Sequence, residues 1–169
     1  AYYRDLSHLP FEERVKVNFD HPDSIDSELL ARHLTMLKAR QPIVSPRYDF
    51  SRHMRSHGGQ PVEPRSVVLV EGILVLVWPE VAQQLDVKIF VETPHDVRLA
   101  RRVQRDIANR GRDVEGVLRQ YLETVRPMHQ SYVDPSRAAA DLVVPGEGDN
   151  LVAVRMLAQA LMNEAATAE

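Results

Sequence analysis

Apolar positions along the chain switch between two periods, and the switches divide it into elements. Residues 1–23 are polar with scattered aromatics and two prolines, which predicts loop with a short helix near Pro10–Val15. From there Ile25, Leu29, Leu30, Leu34 and Leu37 recur at helical spacing, with Asp23 or Ser24 as cap and Pro42 as stop. Residues 43–66 carry Pro46, Pro61, Pro64 and Gly58-Gly59 and predict an irregular β-hairpin insertion. Val67 to Glu71 is apolar on both faces until its last residue, the pattern of a central parallel strand. A short helix is expected from Pro79 to Gln84, and a second buried strand from Val87 to Glu92. Thr93-Pro94 opens a helix striped by Val97, Leu99, Val103 and Ile107 that ends at Gly111. The next helix carries Val114, Val117, Leu118, Tyr121, Leu122 and Val125. Asp141 to Val144 reads as a third strand, and Asp149 or Asn150 caps a last helix bearing Leu151, Val154, Leu157, Leu161 and Met162.

Strands alternating with helices predict an α/β fold with a parallel sheet and flanking helices. Three buried strands are few for such a sheet, so a further strand is expected upstream of residue 1. A chain of 169 residues suits a single domain, 1–169, here expected to be N-terminally incomplete. The apolar and charged fractions, 44% and 27%, are ordinary for a globular protein. The net charge of −3 argues against bulk electrostatic binding of nucleic acid. The absence of cysteine excludes disulfides and thiolate metal sites and is compatible with a reducing cytoplasm. No signal peptide is visible, and no apolar run is long enough to span a bilayer.

Three groups of residues could carry chemistry. Glu71 is expected at the C-terminal end of a buried parallel strand, where α/β sheets bind ligands and where an acid can hold Mg²⁺; an ordinary strand-end or capping charge is the alternative. Arg98, Arg101, Arg102, Arg105, Arg110 and Arg112 place six guanidinium groups in fifteen residues. The first four share a helix face, and Arg110-Gly111-Arg112 sits where glycine permits a turn. Guanidinium groups suit phosphate oxygens, so region 98–113 reads as an arginine-rich lid over a polyphosphate. The alternative is a solvated face salted by Asp96, Asp106 and Asp113. The third group pairs Asn18-Phe19-Asp20-His21-Pro22-Asp23 with Tyr48-Asp49-Phe50 and His53. Here an Asp could accept from sugar hydroxyls while aromatic rings stack on a base, or the loop could simply pack on its own aromatics. His53 and His57 lie four apart but lack a third ligand for zinc. No G-x-S-x-G nucleophile elbow is present. Nor is there a G-x-x-x-x-G-K-[ST] loop to cradle a nucleotide's phosphates.

Several phrases in order resemble the uridine–cytidine kinase family of P-loop kinases. They are Tyr2-Tyr3-Arg4-Asp5-Leu6, Asn18 to Asp23, Tyr48-Asp49-Phe50, Val70-Glu71-Gly72-Ile73-Leu74, Arg101-Arg102-Val103, Arg105-Asp106-Ile107, Arg110-Gly111-Arg112-Asp113 and Gly148-Asp149-Asn150-Leu151. The resemblance implies a P-loop kinase-like sheet with a nucleoside-side hairpin at 43–66. It also implies transfer of the γ-phosphoryl of ATP or GTP to the 5′-hydroxyl of uridine or cytidine, with Mg²⁺, in the cytoplasm. By the same resemblance Asp20 accepts from the ribose hydroxyls, Tyr48 and His53 contact the base, and Tyr3, Phe19 and Phe50 line the pocket. Arg102, Arg112 and Gln120 contact the substrate, Arg105 and Arg110 act as catalytic lid residues on phosphate, Glu71 is the Mg²⁺-shell acid, and Asp149 lies near the nucleotide base. Family members are commonly homotetramers, and no nucleic-acid or membrane partner is implied. The family's phosphate loop, first strand and catalytic Asp are expected before residue 1, since its D-S-[FY]-Y-R phrase starts here at Ala1-Tyr2-Tyr3-Arg4. A chain without them would be inactive alone. A non-catalytic nucleoside-binding or assembly protein of the same fold is the alternative, and a phosphoribulokinase-type enzyme is a third reading.

Overall fold

The computed structural model describes residues 2–148 and 150–167. Its first elements are the short helix α1 (Phe11–Arg14) and a 3₁₀ turn at Pro22–Ser24. Helix α2 (Ser27–Lys38) follows, but its cap is neither Asp23 nor Ser24. The Asp26 side chain accepts the Leu29 N–H at 3.1 Å, so Ile25 lies outside the helix. Asp26 also reaches the hairpin, where its Oδ2 receives Arg55 at 2.9 Å. Asp26→Ala therefore removes a cap and a half-buried ion pair together. We expect a stability loss of about 1–2 kcal/mol in urea unfolding.

The predicted hairpin is present as β1 (Ile43–Asp49) and β2 (Met54–Val62). The two strands are antiparallel from Ile43↔Val62 to Asp49↔Met54, with an irregularity between Pro46 and Tyr48. At its tip Asp49 Oδ1 accepts from the Ser51 amide, the Ser51 hydroxyl and the Arg52 amide. This Asx-type closure lets His53 sit at a positive φ of 49°.

The expected central strand at 67–71 does not form. Val67, Val68 and Leu69 are 43%, 43% and 85% exposed, and only Val70 reaches the core. A strand needs a ladder, and the described strands pair as β1–β2 and β3–β4, leaving none beside 67–71. The apolar run reports a need for burial without saying what supplies it.

Helix α3 (Pro79–Ala82) packs Val81 against Leu30 and Leu34 of α2, with Tyr2, Ala31, Trp78 and Leu85 around them. Strand β3 (Ile89–Glu92) is parallel to β4 (Leu142–Pro145), register Ile89↔Leu142 to Glu92↔Pro145. The strand expected from Val87 is shorter and less buried than its pattern implied, with Val87 47% and Val91 61% exposed. Between these strands runs α4 (His95–Arg110), ended by Gly111 in the left-handed region at φ 61°. Its buried residue is not from the apolar stripe but Asp106; Ile107 is exposed.

The following helix continues beyond Val125, the last of its expected apolar positions. It runs from α5 (Val114–Gln120) through a π turn at Tyr121–Val125, α6 (Arg126–Met128), a second π turn at His129–Val133 and α7 (Asp134–Ser136) to a 3₁₀ turn at Arg137–Ala139. Pro127 and Pro135 each stand just past a π turn, at the second residue of α6 and of α7. A proline lacks an N–H and crowds the carbonyl four residues back; the wider π turn accommodates both. The prolines thus mark the two bulges. The last helix, α8 (Leu151–Thr167), leaves Leu151, Val152, Val154, Met156 and Met162 mostly exposed.

Candidate active site

The loop 18–24 is built to hold two side chains outward. Asn18 Oδ1 accepts the Asp20 amide at 3.1 Å, and the Ser24 hydroxyl donates to the carbonyls of Phe19 and His21 at 3.1 and 2.7 Å. His21 Nδ1 accepts the Asp23 amide at 3.1 Å, which leaves Nε2 as the ring's N–H, 2.8 Å from Tyr132 Oη. Tyr132 lies in the second π turn of the long helix, so a residue 111 positions away steadies the loop. His21 stood in the sequence within the Asn18–Asp23 phrase but without a role of its own, and Tyr132 did not stand out, because one ring in a loop and one on a helix carry no shared signal.

Phe19 enters a cage of rings drawn from three segments. Its ring stacks on His53 at 5.1 Å and 20°, and meets Tyr3 edge-on at 5.5 Å. Tyr3 lies 4.9 Å from Tyr48 and 6.0 Å from Phe50, and Tyr48 lies 5.3 Å from Phe50. Tyr3 is held there by backbone pairing with Ile25 and by Arg55, whose Nε donates to the Tyr3 carbonyl at 2.8 Å. All five ring residues expected at a base site therefore converge. Within the cage Tyr48 Oη is buried and has no hydrogen-bond partner among the described residues. Burial, then the neighbouring Tyr3, pushes its pKa up to about 12, so it remains a hydroxyl donor at neutral pH. Burial, followed by the charges of Arg112 and Arg14, lowers the His53 pKa and favours the neutral ring.

Asp20, the residue after Phe19, lies within electrostatic reach of both Tyr3 in the cage and the arginines. Burial raises its carboxyl above the ordinary value, while Arg102, Arg105, Arg110 and Arg112 pull it down. Those four guanidinium groups surround Asp106, which is 0% exposed. Oδ1 takes Arg105 at 2.7 Å and Arg110 at 3.4 Å; Oδ2 takes Arg112 at 3.2 Å and Arg102 at 3.7 Å. Burial would raise the Asp106 pKa, but the Arg105 hydrogen bond and the charges of Arg105, Arg102 and Arg110 outweigh it and hold it low. Gln120 Oε1 accepts from Arg102 at 3.0 Å and also from Arg112. Beside this cluster a cleft of about 470 Å³ is lined by Arg112, Arg119, Gln120 and Thr124 among others. Arg98 and Arg101 share the helix but leave the group: Arg98 turns to His95 and Arg101 donates to the Gly146 carbonyl at 3.0 Å.

Four guanidinium groups against Asp20 and Asp106 leave the cluster two positive charges in excess. Such a surplus, half shielded from solvent, attracts a multiply charged anion.

Glu71 does not join this group. It is exposed, it is not on a strand, and its side chain has no hydrogen bond or ion pair among the described residues. No cluster of three His, Asp or Glu among the described residues is placed to hold a metal. A magnesium ion in a phosphotransferase commonly takes one or two carboxylates plus substrate phosphates, a donor set to which a single free Glu71 can contribute. Asp149 lies outside the described residues.

The profile of the Phosphoribulokinase / Uridine kinase family matches residues 4–153. The chain belongs to that family. Within it, a uridine kinase of Chloroflexus aurantiacus is 49% identical over 156 residues, covering 92% of this chain and 75% of its own length. A uridine kinase of Clostridium botulinum strain Okra is 51% identical over 157 residues, with 93% and 76% covered. Among solved structures, a protein provisionally assigned as a fructose transport system kinase of Silicibacter sp. TM1040 superposes with a TM-score of 0.65. It is 25% identical, covering 85% of this chain and 71% of that one. The mixed α/β kinase fold is thus shared beyond the nearer relatives.

Proposed function

We propose that the protein is a uridine/cytidine kinase that transfers the γ-phosphoryl of ATP or GTP to the nucleoside 5′-hydroxyl in pyrimidine salvage. The observation that carries this reading is the junction of the ring cage with the arginine cluster through the loop 18–24. Phe19 packs within the first, and the next residue, Asp20, lies within electrostatic reach of the second. A planar base beside a polyhydroxylated sugar fits that junction, with the 5′ end toward the arginines. The near relatives named as uridine kinases support the same reading.

In this reading the base slides among Tyr3, Phe19, Phe50 and His53, where ring stacking rewards a flat π-system. Tyr48 Oη donates to a base carbonyl, and neutral His53 adds a second directional contact. Ionised Asp20 accepts from the ribose hydroxyls, with Arg102, Arg112 and Gln120 closing over the nucleoside. Arg105 and Arg110 neutralise charge on the transferring phosphoryl group, the largest lever available in this chemistry. Glu71 is the described side chain that would hold Mg²⁺, and Asp149 would lie near the nucleotide base. Mg²⁺, when bound, offsets charge on the phosphate oxygens. Region 98–113 would act as lid and 43–66 as the nucleoside-side insertion of one domain. A cytoplasmic, oligomeric enzyme that binds neither nucleic acid nor membrane fits the resemblance; no described helix is long and apolar enough to cross a membrane.

The test is formation of UMP from uridine and ATP–Mg²⁺ by the full-length protein, followed by mass spectrometry. Uridine binding without turnover would favour the non-catalytic alternative, and turnover of a phosphopentose in place of a nucleoside would overturn the assignment. Tyr48→Phe removes one hydroxyl and keeps the ring. We expect kcat/KM for uridine to fall about tenfold, with the KM for ATP unchanged, in line with one lost hydrogen bond to a buried site.

A further inference from the structure

The two oxygens of Asp106 divide the four arginines along a functional line. Oδ1 holds Arg105 and Arg110, the pair assigned to phosphate. Oδ2 accepts from Arg112 and has Arg102 beside it at 3.7 Å, the pair assigned to the nucleoside, and these share Gln120 as well. We propose that Asp106 is a positioning residue that couples the acceptor site to the phosphate site, so that occupying one improves the other. The proposal rests on the uridine/cytidine kinase reading of the site.

Three features favour coupling over simple neutralisation. Asp106 is fully buried, so its oxygens are satisfied by these guanidinium groups rather than by solvent. A carboxylate is planar and rigid: turning it to suit the Oδ1 pair turns the Oδ2 pair as well. Lastly, the backbone carbonyl of Asp106 accepts the amide N–H groups of Gly111 and Arg112, so the same residue anchors the turn that carries Arg110 and Arg112. A substrate phosphate that draws Arg105 or Arg110 toward itself leaves Oδ1 under-satisfied. The carboxylate then tightens on Arg102 and Arg112, which fixes them over the nucleoside. A carboxylate that merely balanced surface charge would be exposed and would touch one or two partners.

The experiment uses the full-length protein and titrates uridine by calorimetry, with and without a non-hydrolysable ATP analogue and Mg²⁺. In the native protein the analogue is expected to tighten uridine binding several-fold, within the ~5–150-fold range common for coupled sites. Asp106→Asn keeps the shape but turns one oxygen into a donor that repels guanidinium. Coupling should fall to within about twofold of none, and Asp106→Glu should restore part of it. Native sites that bind independently, or an Asp106→Asn protein with native coupling, would overturn the proposal.

Should Asp106→Asn fail to fold, the double cycle of Arg105→Lys with Arg112→Lys reads the same link. No hydrogen bond joins these two arginines directly, so their effects on kcat/KM should multiply unless the shared carboxylate connects them. A departure of about threefold or more supports the link, and simple multiplication overturns it. Failure of the site reading looks different: Arg110→Ala would leave kcat intact and Arg112→Ala would leave uridine affinity intact, whatever Asp106 does.

Discussion

Replacing Asp20 with Ala should raise the KM for uridine about a hundredfold or more while leaving ATP affinity nearly unchanged. A carboxylate that accepts from two adjacent hydroxyls makes charge-assisted bonds, each worth about 1.5–3 kcal/mol, and about 1.4 kcal/mol is a factor of ten. The loss should be specific because the bonds that shape the loop, from Asn18, Ser24, Arg4 and Tyr132, do not use the Asp20 carboxylate, so the loop keeps its shape without it. The pH profile adds a signature. Only the ionised form accepts from both hydroxyls, and burial raises the Asp20 pKa despite the arginines. The acid limb of kcat/KM for uridine should therefore lie above that of an ordinary carboxylate, with activity lost as pH falls through the raised pKa. Steady-state kinetics across pH on native and Asp20→Ala proteins check both points; an unchanged uridine KM would remove Asp20 from the sugar site.

Arg110→Ala should lower kcat by about 10²–10³ with a much smaller change in the KM for uridine. Arg110 lies 3.4 Å from Asp106 and stands just before the Gly111 turn at the end of α4. That position leaves its guanidinium the freest of the four to move onto a phosphate, and a group that meets its partner only as charge develops appears in kcat. Single-turnover measurements separate this from product release. An effect confined to KM would mean Arg110 binds ground state and transition state alike.

Much of the site was readable because its residues came in dense local phrases. Helical spacing put Arg102 and Arg105 on one face but grouped Arg98 and Arg101 with them, which the fold turns elsewhere; the ring cage needed two phrases whose chemistry matched, and Tyr3 joined them only by the family resemblance. What escaped was relational. Asp106 sits four residues after Arg102 and four before Arg110, yet a lone acid among arginines looks like surface neutralisation until burial shows that it is enclosed. Tyr132 and His21 meet only through the fold. The cap of α2 moved from Asp23 or Ser24 to Asp26 because a 3₁₀ turn intervenes, and a periodicity cannot distinguish the two kinds of turn. The strand expected at 67–71 was inferred from apolarity alone, which reports the wish to be buried but not the partner.

The two π turns have a consequence for how this protein can change. An α-helix advances about 100° per residue, so one added or removed residue rotates everything beyond it by more than a quarter of a circle. Each π turn holds such an extra residue in place, and Pro127 and Pro135 make the widened geometry the comfortable one. Gln120 lies before the first widening and Tyr132 within the second, so their relative bearing is set by the residue count between them. A one-residue deletion in an α segment between them would swing Tyr132 away from His21, whereas one taken from the first π turn would let that turn close to α and leave Tyr132 on the same bearing. Whether this helix tolerates a change of length therefore depends on where along it the change falls.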